Sequence, residues 1–215
     1  MVALIILATL PVRTAETVPP GEAALHVAGG VVAIDIDVPI APPLPVFTAE
    51  VEASFGLLDG LDVRALYATQ LGLIHRVGPE LRGRVWRGGG WSVGARLRPT
   101  FEFGGAWQEG VDYGGEVATT GAALLTWRSG LGAFTLDAGV EVEWLVFEDV
   151  DGERFVDDSP FLAFYELALD YEYPLYDDAN LSARFEYARP FQPDAYPATV
   201  LGGFPRLLVG GSFAL

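Results

Sequence analysis

The chain has 215 residues, 51% of them apolar and 12% aromatic, with 26 glycines and no cysteine. Its formal net charge is −16, and every basic residue is arginine. Disulfides and thiolate metal sites are therefore excluded, and nucleic acid is a repelled partner because its phosphates share the chain's sign. Charges carried without lysine suit paired, enclosed positions, where the planar guanidinium holds carboxylates well. After the first residues no uncharged apolar run reaches the ~18 residues of a membrane-crossing helix. The apolar content must then fill a large soluble core or coat the outside of a barrel.

In chain order, Met1–Leu10 (MVALIILATL) precedes Pro11 and resembles the apolar region of a secretory signal. No basic residue precedes it, and Arg13-Thr14-Ala15 is a poor cleavage site. Residues 1–22 are read as a signal-like segment and linker, and 23–215 as one β domain. From there on no helical period is sustained, and a period of two recurs almost throughout. Strands are expected at Val31 to Val38, Phe47 to Leu57, Leu61 to Thr69, Glu80 to Arg87, Trp91 to Phe103, Glu116 to Trp127, Phe134 to Trp144, Phe161 to Tyr173, Leu181 to Tyr187 and Phe204 to Leu215. The total is about ten, with eight or twelve as alternatives, and single-chain membrane barrels use even counts. The clearest alternation sets Phe134, Leu136, Ala138, Val140, Val142 and Trp144 against Thr135, Asp137, Gly139, Glu141 and Glu143. Pro99 interrupts a strand, so a bulge is expected there. Trp86 falls on the polar phase and needs a bulge or a rim position.

Connections alternate in length. Long ones are expected at residues 190–203, 147–159, 104–115 and 70–79, short turns at 176–180, 128–130, 88–90 and 58–60, and a moderate one at Pro39 to Pro45. Long loops on one side and short turns on the other are the habit of outer-membrane barrels, whose termini lie with the short, periplasmic turns. Aromatics gather near strand ends on the apolar face: Trp91, Trp127, Tyr171 and Tyr173 toward the short turns, Phe101, Phe103, Trp144 and Tyr187 toward the long loops. They are candidate membrane girdles.

The last strand places Leu207, Val209, Gly211, Phe213 and Leu215 on one face up to the final residue. It resembles the C-terminal strand of the outer-membrane β-barrel superfamily, of the OmpA and porin kind, with Leu215 in place of the usual final aromatic. The resemblance implies a closed antiparallel up-and-down transmembrane β-barrel in the outer membrane of a Gram-negative cell envelope. It also implies contact with outer-membrane lipids and lipopolysaccharide, and recognition by the barrel-assembly machinery through Phe213 and Leu215. The competing fold is a soluble lipocalin-like barrel with its apolar face inward.

Under the membrane reading the charged phase lines the lumen. Arg64, Arg82, Arg84, Arg96 and Arg98 form an arginine wall. Asp35, Asp37, Glu50 and Glu52 flank it. Asp137, Glu141, Glu143, Glu166, Asp170, Glu172, Arg184 and Glu186 lie across. Two outcomes fit: a small passive pore for polar solutes with a transverse field at its constriction, or a narrow structural barrel shut by salt bridges. A surface enzyme or adhesin working through the long loops is the alternative. Of the two histidines, His26 opens the first strand and His75 sits in a long loop. Omptin-type surface proteases use a rim His-Asp pair, but Arg76 follows His75, and the His–Ser or His–carboxylate set of lipid-A-modifying barrels is also missing. No enzyme activity, cofactor or metal is expected. The acidic stretch Glu148-Asp149-Val150-Asp151-Gly152-Glu153, with Asp157-Asp158, could hold Ca²⁺ but reads as a solvated loop.

Overall fold

The computed structural model describes residues 15–34, 44–104, 111–150, 153–176, 179–191 and 203–215. Its strands are β1 (Ala23–Ile34), β2 (Leu44–Leu58), β3 (Leu61–Gln70), β4 (Ile74–Gly88), β5 (Trp91–Gly104), β6 (Val111–Ser129), β7 (Gly132–Val150), β8 (Glu153–Asp157), β9 (Phe161–Tyr176), β10 (Ala179–Pro190) and β11 (Phe204–Ala214). All pairings between strands are antiparallel. β1 to β7 pair in sequence, followed by β9, β10 and β11, and β11 closes on β1 from Ala24↔Ala214 to Val32↔Arg206. The result is a closed ten-stranded barrel. The eleventh strand, β8, pairs only with the far end of β7.

The faces are inside-out relative to a soluble barrel. Glu50, Glu52, Arg64, Arg82, Arg96, Asp137 and Arg184 are buried, while Phe47, Leu97, Leu167, Leu169 and Phe185 are each about half exposed. This overturns the lipocalin-like alternative. An apolar belt of this extent facing outward is stable only against hydrocarbon. No helix among the described residues is long and apolar enough to cross a membrane.

The structure corrects several boundaries. β1 begins at Ala23, well before Val31, because its small residues Ala28, Gly29 and Gly30 pair on both sides despite their weak strand propensity. Asp35 and Asp37 lie outside the described residues, as do Met1–Leu10 and most of the connection from Pro39 to Pro45. The connection at 70–79 is not long. Leu71 and Gly72 adopt φ of 51° and 70°, the Leu73 amide donates to the Gln70 carbonyl at 2.9 Å, and β4 starts at Ile74. That is the backbone of a primed hairpin turn, which Leu71 enters against its steric preference. Gly89 and Gly90 make the equivalent turn between β4 and β5 with φ of 59° and 83°.

Pro99 sits in unbroken register, with Val77↔Phe101 and Leu81↔Leu97 on either side, so there is no bulge. Pro79 occupies the opposite position on β4. Two residues without N–H groups face each other, and one gap in the ladder serves both. The bulge falls instead between Arg84 and Trp86, and it turns Trp86 outward. The acidic stretch is a hairpin rather than an open loop: Glu148↔Phe155 and Asp149↔Arg154 are paired. Arg154 donates two bonds to the Asp149 carboxylate, at 2.9 and 2.8 Å, and these hold that carboxyl below its ordinary range. Asp151 and Gly152 lie outside the described residues.

Candidate functional site: a salt-bridged lumen

The end of the barrel holding the short turns and both β1 and β11 termini is called the turn end; the other is the loop end. Every lumen candidate in the described part of the sequence points into the lumen, except that Arg84 lies at the turn-end mouth. Parity along each strand explains this, since alternate side chains share a face.

In the middle layer Arg64, Arg82 and Arg98, on β3 to β5, are neutralised on their own wall. Arg64 donates to Glu52 at 2.7 Å and to Asp62 at 3.0 Å. Glu80 accepts from Arg82 Nε at 3.1 Å and from Arg98 Nε at 2.7 Å. Part of the arginine wall is thus paired from its own side rather than from across the lumen. Arg82 and Arg96 do stand directly opposite on β4 and β5, but their guanidinium groups turn to different carboxylates. Arg96 reaches Asp137 at 3.1 Å and Glu166 at 3.2 Å. From β10, Arg184 reaches the same Asp137 oxygen at 3.1 Å, Asp170 at 2.7 Å and Glu186 at 2.8 Å. Asp137 thus ties β5 to β10, which are separated in the ring by β6, β7 and β9. Arg96, Asp137 and Arg184 are at most 3% exposed. Glu172 lies nearer the turn end, and Glu143 nearer the loop end beside Glu141.

The turn end carries a closure that the sequence did not announce. Ala15, fully buried, donates its N–H to Thr126 Oγ1 at 2.7 Å, and the Val18 N–H donates to Asp62 at 3.0 Å. Glu16 lies 3.2 Å from Arg84, 3.8 Å from Arg87 and 3.6 Å from Arg128. Residues 15–20 therefore lie as a strap across the mouth. A Cβ on Gly56 would meet the Pro19 carbonyl oxygen at 1.9 Å, so the strap requires glycine there. Glu16→Gln is expected to release the strap. Hydrogen–deuterium exchange at the Val18 amide should quicken, while the barrel loses no more than about 1 kcal/mol, as befits partly exposed pairs.

At the loop end Arg76 bonds Glu102 at 2.8 Å and lies 3.5 Å from both Glu116 and Glu141. Thr120 donates to Glu141 at 2.9 Å. Arg206 pairs with Glu50 and lies 3.8 Å from Glu186. These side chains surround a cavity of about 340 Å³.

Among the described residues, five lumen charges escaped the sequence reading: Asp62, Arg76, Glu80, Glu116 and Arg206. Parity with Arg64, Arg82 and Arg98 would have found Asp62 and Glu80. Arg76 was hidden by the misplaced start of β4. His75 lies outside the lumen, between the rings of Tyr67 and Phe103, and its Nδ1 is 2.9 Å from the Tyr67 hydroxyl rather than a carboxylate. His26 is buried on the lumen face.

The girdle aromatics form chains of neighbouring rings. Trp91–Trp127, Trp127–Phe134 and Phe134–Tyr171 have centroids 6.2, 5.8 and 4.6 Å apart at the turn end. Tyr173 is exposed beside them. Phe103–Phe101–Phe147–Tyr113 continues the His75 stack at the loop end. Trp144 Nε1 donates to Thr119, whereas Tyr187 is half-buried on β10 opposite Leu167. Phe213 and Leu215 point outward at the β1–β11 seam, where the Leu215 N–H donates to the Ala23 carbonyl at 3.0 Å.

No family model matches the chain, and no curated protein matches it in sequence. Among solved structures it is similar to an outer-membrane channel of Pseudomonas putida F1, at a TM-score of 0.58 and 9% identity, over 95% of this chain and 99% of that one. The outer-membrane protease OmpT of Escherichia coli aligns at 0.53 and 9% identity, over 94% and 100%. The translocator domain of the autotransporter NalP of Neisseria meningitidis aligns at 0.53 and 11%, over 91% and 89%. The fold is therefore that of the bacterial outer-membrane β-barrels. These neighbours include a channel, a protease and a translocator, so fold alone leaves the activity open.

Proposed function

We propose that this protein is a narrow, non-conducting barrel of the bacterial outer membrane, shut by its own salt bridges, with its short turns in the periplasm and its loop end outside. The observation that carries the reading is Asp137, which joins Arg96 and Arg184 across the lumen with almost no exposure. A water-filled constriction would leave such charges hydrated, whereas here desolvation is offset by dense pairing. The strap at Ala15 to Pro20 adds a second closure. Lipid and lipopolysaccharide contact the apolar belt and its aromatic rims, and the barrel-assembly machinery reads Phe213 and Leu215 on the seam strand. Catalysis forms no part of this reading, because among the described residues His75 has the Tyr67 hydroxyl rather than a carboxylate beside it.

Planar-bilayer recording of the refolded protein tests it. The native barrel should be silent. The triple variant Arg96→Ala, Asp137→Ala, Arg184→Ala should pass ions in discrete steps. Steady channels from the native protein would replace this reading with that of a passive pore.

A further inference from the structure

The loop-end cavity combines two features that a simple seal does not need. The first is an excess of carboxylates on one side. Arg76 pairs with Glu102, Glu116 and Glu141, and the oxygens of Glu116, Glu141 and the adjacent Glu143 all lie within 4.8 Å of one another. The second is apolar surface facing the same cavity. Val32, Leu66 and Ala68, on β1 and β3, are buried at the loop end. Phe164 and Phe204 meet edge to face, with centroids 6.1 Å apart. All five line the same cavity as Glu116 and Glu141. Its volume, about 340 Å³, falls at the small end of ligand pockets, roughly 300–1,000 Å³. Its floor is the paired middle layer.

We propose that this cup binds a small alkylammonium ion. Its charged head sits at Glu116 and Glu141, and its hydrocarbon part lies against Leu66, Phe164 and Phe204. A cation relieves the repulsion among closely spaced carboxylates. The apolar wall has no use for a bare divalent ion, which takes six to eight oxygen ligands instead, and Arg76 already places positive charge in the cluster. Burial of each methylene against the wall favours longer chains by ~0.8 kcal/mol.

The inference rests on the sealed lumen only for its floor. A native barrel that conducts yet binds the amine would overturn the seal and leave the site standing.

Calorimetric titration of the full chain, refolded in detergent at neutral pH, provides the test, with hexylammonium, methylammonium, hexanol and Ca²⁺ as probes. Hexylammonium should bind saturably at one site, at least about tenfold tighter than methylammonium, and hexanol should not bind. The double variant Glu116→Gln, Glu141→Gln should weaken hexylammonium by at least about tenfold, or about 1.4 kcal/mol. Ala68→Phe, which fills the cup without altering its charge, should weaken it as well and decides the matter if the double variant does not fold. Three results would each overturn the site: no saturable hexylammonium binding, binding unchanged in Ala68→Phe, or displacement of hexylammonium by equimolar Ca²⁺.

Discussion

Asp137→Asn is expected to destabilise the barrel by about 3–5 kcal/mol, the range for removing one partner from a buried ion pair. The carboxylate serves Arg96 and Arg184 together, so its neutralisation leaves two buried guanidinium groups short of charge. Arg96→Met should cost clearly less. Asp137 then keeps Arg184, and Glu166, the other partner of Arg96, is only partly buried. The order Asp137→Asn worse than Arg96→Met follows from which residue is shared, not from charge alone. Guanidinium chloride unfolding in detergent micelles, read by heat-modifiable gel mobility, measures both. A cost below about 1 kcal/mol for Asp137→Asn would place the residue in water, as at exposed pairs, and would count against the sealed lumen.

Period-two alternation carried most of the fold. Along Phe134 to Trp144 it placed every side chain on the face the structure gives it, since a one-residue slip would have turned Asp137 and Glu141 into lipid. What alternation cannot supply is the partner. Parity turns Arg82 and Arg96 inward and opposite each other, which suggests repulsion. Glu80 resolves it, and Glu80 sits one place after a proline that reads as a strand break. Pro79 is tolerated because Pro99 faces it, a relation between residues 20 positions apart that no local pattern contains. The turn at Leu71-Gly72 was likewise unreadable, because a leucine with positive φ goes against its own preference. The strap escaped for a different reason. Ala15 and Val18 are held through backbone N–H groups, which carry no sequence signature. The salt-bridged lumen was thus foreseeable as a composition of charges on one phase, but its connectivity belongs to the closed ring.

Leu167→Arg, on the opposite face, is expected to cost about 2–4 kcal/mol, the penalty of a cationic side chain on the lipid face near the bilayer midplane. Leu167 points outward, half exposed, from the middle of β9, paired with Ala138 and Tyr187. Among the described residues no carboxylate shares that face nearby, so the guanidinium must reach a headgroup or draw water into the hydrocarbon. Leu181→Arg provides the control. Leu181 also faces outward, but it pairs with Tyr173 at the turn-end girdle, where the same charge should cost only about 0–1 kcal/mol. Depth, rather than burial in the isolated molecule, should therefore rank the two variants, although both side chains are comparably exposed. Unfolding from detergent or lipid bilayers by denaturant gives each cost. If both substitutions were tolerated equally, the outer face would be meeting water, and the membrane-spanning assignment of the belt would fall.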